Sequence, residues 1–160
     1  MKTNRIAAIF LTLFMSFALS ITPVMAGNPH FIKAGASVDD AGNLVLSWKE
    51  VGFGSGQVID YVASSFGNAW YACLNPALTD KANSIGTVTG SGSFDTKGSK
   101  ISASLIVPPP PSPITCLPGE RLVVACVIYQ DIALTDTTDG ITIDLPDSFR
   151  TIYPVVDFCP

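Results

Sequence analysis

Leu44-Val45-Leu46-Ser47-Trp48-Lys49-Glu50-Val51 reads two residues at a time: Leu44, Leu46 and Trp48 share one parity, and Val45, Ser47 and Lys49 share the other. Successive side chains of an extended strand point to opposite faces of a sheet, so this alternation predicts a strand with one apolar face and one mixed face. The parity assigns Trp48 to the core beside Leu44 and Leu46, as a central tryptophan packs in many β-sandwiches. Asp39-Asp40-Ala41-Gly42-Asn43 has the composition of a tight turn, and Phe31 to Val38 on its far side reads as the first strand.

Working outward, Gly52-Phe53-Gly54-Ser55-Gly56 is a loop. Gln57 to Phe66 and Ala69 to Leu74 read as strands around a turn at Gly67-Asn68, and Asn75 to Asn83 as a connection with a helical turn. Ser84 to Asp95 and Lys100 to Val107 read as a hairpin about Thr96-Lys97-Gly98-Ser99, because Ile101, Ala103, Leu105 and Val107 alternate with Ser102, Ser104 and Ile106. Gly86, Gly90 and Gly92 point to a bulged or closely approached strand. Arg121 to Thr135 is the longest run, and its part from Leu122 to Tyr129 is apolar at both parities, as in a central strand covered on both faces. Ile141 to Leu145 alternates again. Seven to eight strands with little helical periodicity predict an all-β fold. The expected architecture is a two-sheet antiparallel sandwich of Greek-key, immunoglobulin-like connectivity rather than a closed barrel.

At the N-terminus, Lys2 and Arg5 precede an apolar run from Ile6 to Ile21, and Val24-Met25-Ala26 has the small-residue spacing of a signal-peptidase site. The run is shorter than the roughly 20 residues of a membrane-spanning helix. Residues 1–26 are therefore expected to be a cleaved signal peptide and 27–160 a single sandwich domain, secreted or periplasmic, without membrane insertion. A lipoprotein needs a cysteine directly after the cleavage site, and the first cysteine is Cys73. Losing Lys2 and Arg5 takes the basic residues from 9 to 7 against 13 acidic ones, a net charge of −6 that disfavours nucleic acid as a partner.

The 4 cysteines, Cys73, Cys116, Cys126 and Cys159, form an even set in an exported chain, which predicts disulfides of three alternative connectivities. A turn and a strand separate Cys116 from Cys126 and should carry them beyond the roughly 7 Å reach of a bridge. This favours Cys73 with Cys116 and Cys126 with Cys159, and leaves Cys73 with Cys159 as the other option. Zinc prefers close C-x₂₋₄-C pairs, which these spacings lack.

The succession of Leu44 to Gly54, Tyr71-Ala72-Cys73-Leu74-Asn75-Pro76, Gly92-Ser93-Phe94, the proline-rich segment before Cys116, and Leu134-Thr135-Asp136-Thr137-Thr138-Asp139-Gly140 resembles small exported bacterial β-sandwich proteins of unassigned function. The resemblance covers most of the mature chain and rests on structural motifs. It implies that Cys73 and Cys116 form a shared bridge and that Cys126 and Cys159 are an addition. It carries no activity with it.

No catalytic motif stands above background. His30 is the single histidine, which removes most metal-centred and general-base schemes, and Pro29 lacks the amide proton that an N-terminal copper clamp must lose. There is no G-x-S-x-G elbow for a serine nucleophile. The aspartates far outnumber Glu50 and Glu120 and sit mostly at turns, where their side chains bond the local backbone. Asp131, Asp136, Asp139, Asp144 and Asp147 are the densest acidic region, but Asp136-Thr137-Thr138-Asp139-Gly140 lacks the spacing and distal glutamate of an EF-hand loop, so a solvated hairpin end is the expectation. No catalytic residue, metal ligand or cofactor is expected.

Trp70 is the functional lead. If Cys73 points inward, the period of two sends Tyr71 inward and Trp70 outward, leaving an amphipathic ring that either stacks on a ligand or lies under a loop. Pro108-Pro109-Pro110-Pro111-Ser112-Pro113 should form a stiff polyproline II crossing of about 19 Å between sheets. The expected function is an exported, non-enzymatic structural or interaction module. The alternative is a binding module for saccharide or cell-envelope polymer, so the partner is an unknown protein or such a polymer.

Overall fold

A computed structural model describes residues 27–153 and 159; the signal-peptide reading of 1–26 lies outside the described residues. Eight strands run β1 (His30–Val38), β2 (Leu44–Val51), β3 (Val58–Asn75), β4 (Ala77–Asp95), β5 (Lys100–Val107), β6 (Arg121–Asp136), β7 (Ile141–Leu145) and β8 (Ser148–Thr151). They form two antiparallel sheets, one of three strands in the order β1-β2-β5 and one of five in the order β4-β3-β6-β7 with β8 also on β6. The chain changes sheet after β2, β4 and β5, giving the Greek-key, immunoglobulin-like arrangement expected. Leu44, Leu46 and Trp48 are buried as their parity requires, facing Ile59, Tyr61 and Ala63 of β3 and Leu134 of β6 across the sandwich.

Three local expectations differ from the structure. Gly67-Asn68 is not a turn: β3 runs straight through it for 18 residues, and Asn75 to Asn83 is no helical connection but a tight turn leading into β4. Nor do Ser84 to Asp95 and Lys100 to Val107 pair as a hairpin. Beyond a single bridge between Lys97 and Lys100, β4 pairs with β3 while β5 crosses to the other sheet and pairs with β2. The alternation in β5 was a sound strand signal, but its apolar face needs the opposite sheet for cover, and chain adjacency does not decide pairing. A Cβ on Gly90 would lie 3.0 Å from Val107 Cγ2, so the glycine lets β4 approach β5 where the two sheets meet at the sandwich edge.

Strand β6 departs from simple alternation because it is bulged twice. The register with β3 slips between Cys126 and Val124, so Ala125 is extra and the inward residues become Val124, Val127 and Tyr129. The slip moves the inward set from one parity to the other, while Val123 and Cys126 on the outer face are buried as well, so the run is apolar at both parities. The second slip leaves Asp131, at φ 50°, opposite Ser65 and bends the strand. Its outer edge is consequently shared by two short strands, β8 beside Cys126 to Tyr129 and β7 beside Ile132 to Asp136.

The five-stranded sheet is far longer than the three-stranded one, and the proline-rich segment covers the excess. Tyr71 donates a hydrogen bond to the carbonyl of Pro110, and Ile114 packs against the core. Cys73 pins the far end of this segment through Cys116, with Cα atoms 5.5 Å apart. Cys126 bonds Cys159, with Cα atoms 6.1 Å apart. Cys126 lies opposite Trp70 in register, so this bridge occupies the outer face while Cys73–Cys116 occupies the inner one. Both favoured pairings are present.

Candidate functional site

The outer face of the five-stranded sheet is the surface that the sequence lead pointed to, and its geometry follows from strand register. Trp70 points away from the buried Tyr71 and Cys73 and is half-buried, in a row with Asn83 of β4, Cys126 of β6 and Thr151 of β8. The next row is Ile85, Asn68, Ile128 and Phe149, one from each of the four adjacent strands. The third is Thr87, Phe66 and Gln130. Phe66 is 42% exposed, Ile85 54% and Phe149 54%. These three rows contain no charged residue; Lys81 borders them on one side and Asp131, Asp144 and Asp147 on the other. Sequence reasoning located Trp70 but missed Phe66, Ile85 and Phe149, because they become neighbours only through long-range pairing.

The other chemistry-bearing residues are dispersed. His30 is exposed and its Nδ1 lies 2.8 Å from the carbonyl of Asn28. Asp131, Asp144 and Asp147 line an open depression of about 340 Å³ with Ile132 and Leu145, and Asp147 accepts a hydrogen bond from the Asp131 amide at 3.3 Å. A second depression of about 220 Å³ lies beside Lys33, Ser47, Lys49 and Ser102 on the three-stranded sheet. Cys73, Cys116 and Glu120 cluster closely enough to suggest a metal set, but both sulfurs are committed to the disulfide and Glu120 accepts the Leu117 amide at 2.8 Å. A disulfide sulfur is not the thiolate that ligates metal.

Two carboxyl groups are buried outright. Glu50 and Asp136 are both 0% exposed. Glu50 Oε2 accepts from the Tyr61 hydroxyl at 2.9 Å, while Asp136 Oδ1 accepts from the amides of Thr138 at 2.8 Å and Asp139 at 3.0 Å. Burial pushes the Glu50 carboxyl up to about 7, the Tyr61 hydrogen bond opposing and the charge of Asp136 adding to the rise. Burial likewise raises Asp136 against its two backbone hydrogen bonds. The hairpin end is thus not simply solvated, since Asp136 turns inward. The signal was present in the parity: Glu50 continues Leu44, Leu46 and Trp48, and Asp136 continues Ile132 and Leu134.

No protein-family model and no curated protein matches this sequence.

Proposed function

We propose that the chain is an exported, non-enzymatic interaction module that binds its partner through the outer face of the five-stranded sheet. The observation that carries this reading is the uncharged patch of Trp70, Phe66, Ile85, Ile128 and Phe149, lying across four strands of a chain whose expected mature net charge is −6. Contiguous exposed apolar surface rimmed by polar groups marks interaction sites. Two disulfides accord with an oxidising, extracellular or periplasmic setting.

A saccharide or cell-envelope polymer is the second reading, favoured by the side chains interleaved with the rings. Asn83, Thr87, Gln130 and Thr151 place amides and hydroxyls beside Phe66, Trp70 and Phe149, and aromatic faces combined with such groups suit neutral sugars. Co-sedimentation of the oxidised domain with insoluble polysaccharides and purified cell-wall material, beside Trp70→Ala and Phe66→Ser, separates the two. Retention lost in both variants supports the polymer reading. Retention of neither wild type nor variants rejects it and leaves a protein partner, and retention unchanged in both variants places binding elsewhere and overturns the face.

A further inference from the structure

Strand β4 forms one edge of the five-stranded sheet, and among the described residues only β3 pairs along it. Its register with β3 is unbroken from Lys81 to Asp95. Alternate residues of an edge strand point their backbone amide and carbonyl away from the one neighbour, which makes the edge a template for another strand. Charges and prolines are common means of blunting such an edge, and the stretch from Ala82 to Phe94 holds neither. The other edges are guarded. β7 and β8 have 5 and 4 residues, and β1 is bulged between Phe31 and Lys33, with a lysine at the bulge. β5 has 8 residues and begins with Lys100, whereas β4 has 19.

The charges of β4 stand at its ends, where a second copy of the strand would meet them. Odd-numbered residues from Lys81 to Asp95 are exposed on the outer face, and even-numbered ones from Ala82 to Phe94 face the core. For two copies to keep their three-stranded sheets on one side, opposed residues must share a face, so a twofold axis passes through a residue and not between two. With the axis at Val88, Lys81 of each copy lies directly opposite Asp95 of the other, Ile85 opposite Ser91 and Thr87 opposite Thr89. An axis at Thr87 sets Lys81 against Ser93, and an axis at Thr89 sets it against Lys97. Opposite charges across a strand pair stabilise it and like charges destabilise it, so the strand ends select the register about Val88.

We propose that β4 is a self-association edge: two copies of this chain pair antiparallel from Lys81 to Asp95 about Val88, joining two five-stranded sheets into one of ten strands. The pairing supplies about one hydrogen bond per residue, and a Lys81 to Asp95 ion pair closes each end. The joined sheet ends in the short β7 and β8 of each copy, so association stops at a dimer and does not run on into a fibre. The dimer does not depend on the partner reading above. It would set the two outer faces side by side on one continuous sheet.

The test is sedimentation velocity of the oxidised protein at concentrations up to about 1 mM, beside Lys81→Asp, Asp95→Lys and the double variant. Wild type is expected to pass from monomer to dimer as concentration rises. Each single variant puts like charges at both ends of the pairing and should weaken the dimer about tenfold or more; the double variant restores opposite charges and should recover it. Amide exchange of wild type needs no variant: the alternate amides between Ala82 and Phe94 that face away from β3 should gain protection as the dimer forms. A protein that stays monomeric throughout overturns the proposal, as does a dimer without that gain in protection. A dimer that both single variants leave intact overturns the register about Val88.

Discussion

Gly67 lies directly under Pro110: a Cβ built on the glycine falls 2.9 Å from the Pro110 Cδ and 3.0 Å from its Cγ. The proline-rich segment can rest on the sheet only because β3 offers bare backbone there. Gly67→Ala should therefore cost about 1–3 kcal/mol, the range for forcing an extra carbon into a packed interior. Gly86 sits opposite Gly67 in register, and a Cβ there meets nothing within 4 Å. Gly86→Ala should be neutral or slightly stabilising, since it reduces the freedom of the unfolded chain. Urea unfolding of the two variants checks the contrast, and equal effects would show that Pro110 does not define the position.

Tyr71 holds the same segment by its hydroxyl, which donates to the carbonyl of Pro110 in a buried setting. Tyr71→Phe keeps the ring and leaves that carbonyl without its donor. The expected loss is about 1–2 kcal/mol, measured as a lower urea midpoint at unchanged slope.

The two disulfides should differ in what they protect, although the loops they close are similar, with sequence separations of 43 and 33. Chain-entropy arithmetic gives about 4 kcal/mol for either. Removing Cys73–Cys116 also frees the cover over Tyr71, so the double variant Cys73→Ser/Cys116→Ser should lose more than Cys126→Ser/Cys159→Ser. Amide exchange distinguishes them: the first variant should lose protection at Ala69 to Cys73, and the second at Ile152 and Tyr153, whose amides bond the Ala125 carbonyl.

The strands were legible where one face is buried and the other wet, as in Leu44 to Val51, because local alternation then carries the whole signal. The reading failed where glycine and asparagine serve packing rather than turning. Gly67-Asn68 has turn composition, yet its reason is Pro110, 43 residues further on. Likewise the polar run from Thr79 to Ser84 lies on an exposed sheet edge that needs no apolar pattern. Trp70 was placed on the correct face from a parity argument through Cys73, whereas Phe66, Ile85 and Phe149 joined it through pairings that no local pattern encodes. Glu50 and Asp136 match the parity of the core, but the turn composition of Asp136-Thr137-Thr138-Asp139-Gly140 pointed to a solvated end and nothing local marked Glu50 as buried.

Asp39 gives a pH response of opposite sign to that of Glu50. Its Oδ1 accepts from the amides of Ala41 at 2.9 Å and Asn43 at 2.8 Å, and its Oδ2 accepts from Asn43 Nδ2 at 2.9 Å, organising the turn between β1 and β2. Burial works against the charge, but the hydrogen bonds from Asn43, Ala41 and Gly42 outweigh it and hold the carboxyl below its ordinary value of 3.8. Its contribution is therefore present above 3.8 and is lost as pH falls through the depressed value. Asp39→Ala should cost about 1 kcal/mol at neutral pH, the typical worth of such turn hydrogen bonds, and less in strong acid, where the wild-type carboxyl is protonated too. Urea unfolding of wild type and variant at about pH 7 and about pH 2 checks it. A gap of the same size at both would mean that the turn depends on the shape of the side chain and not on its charge.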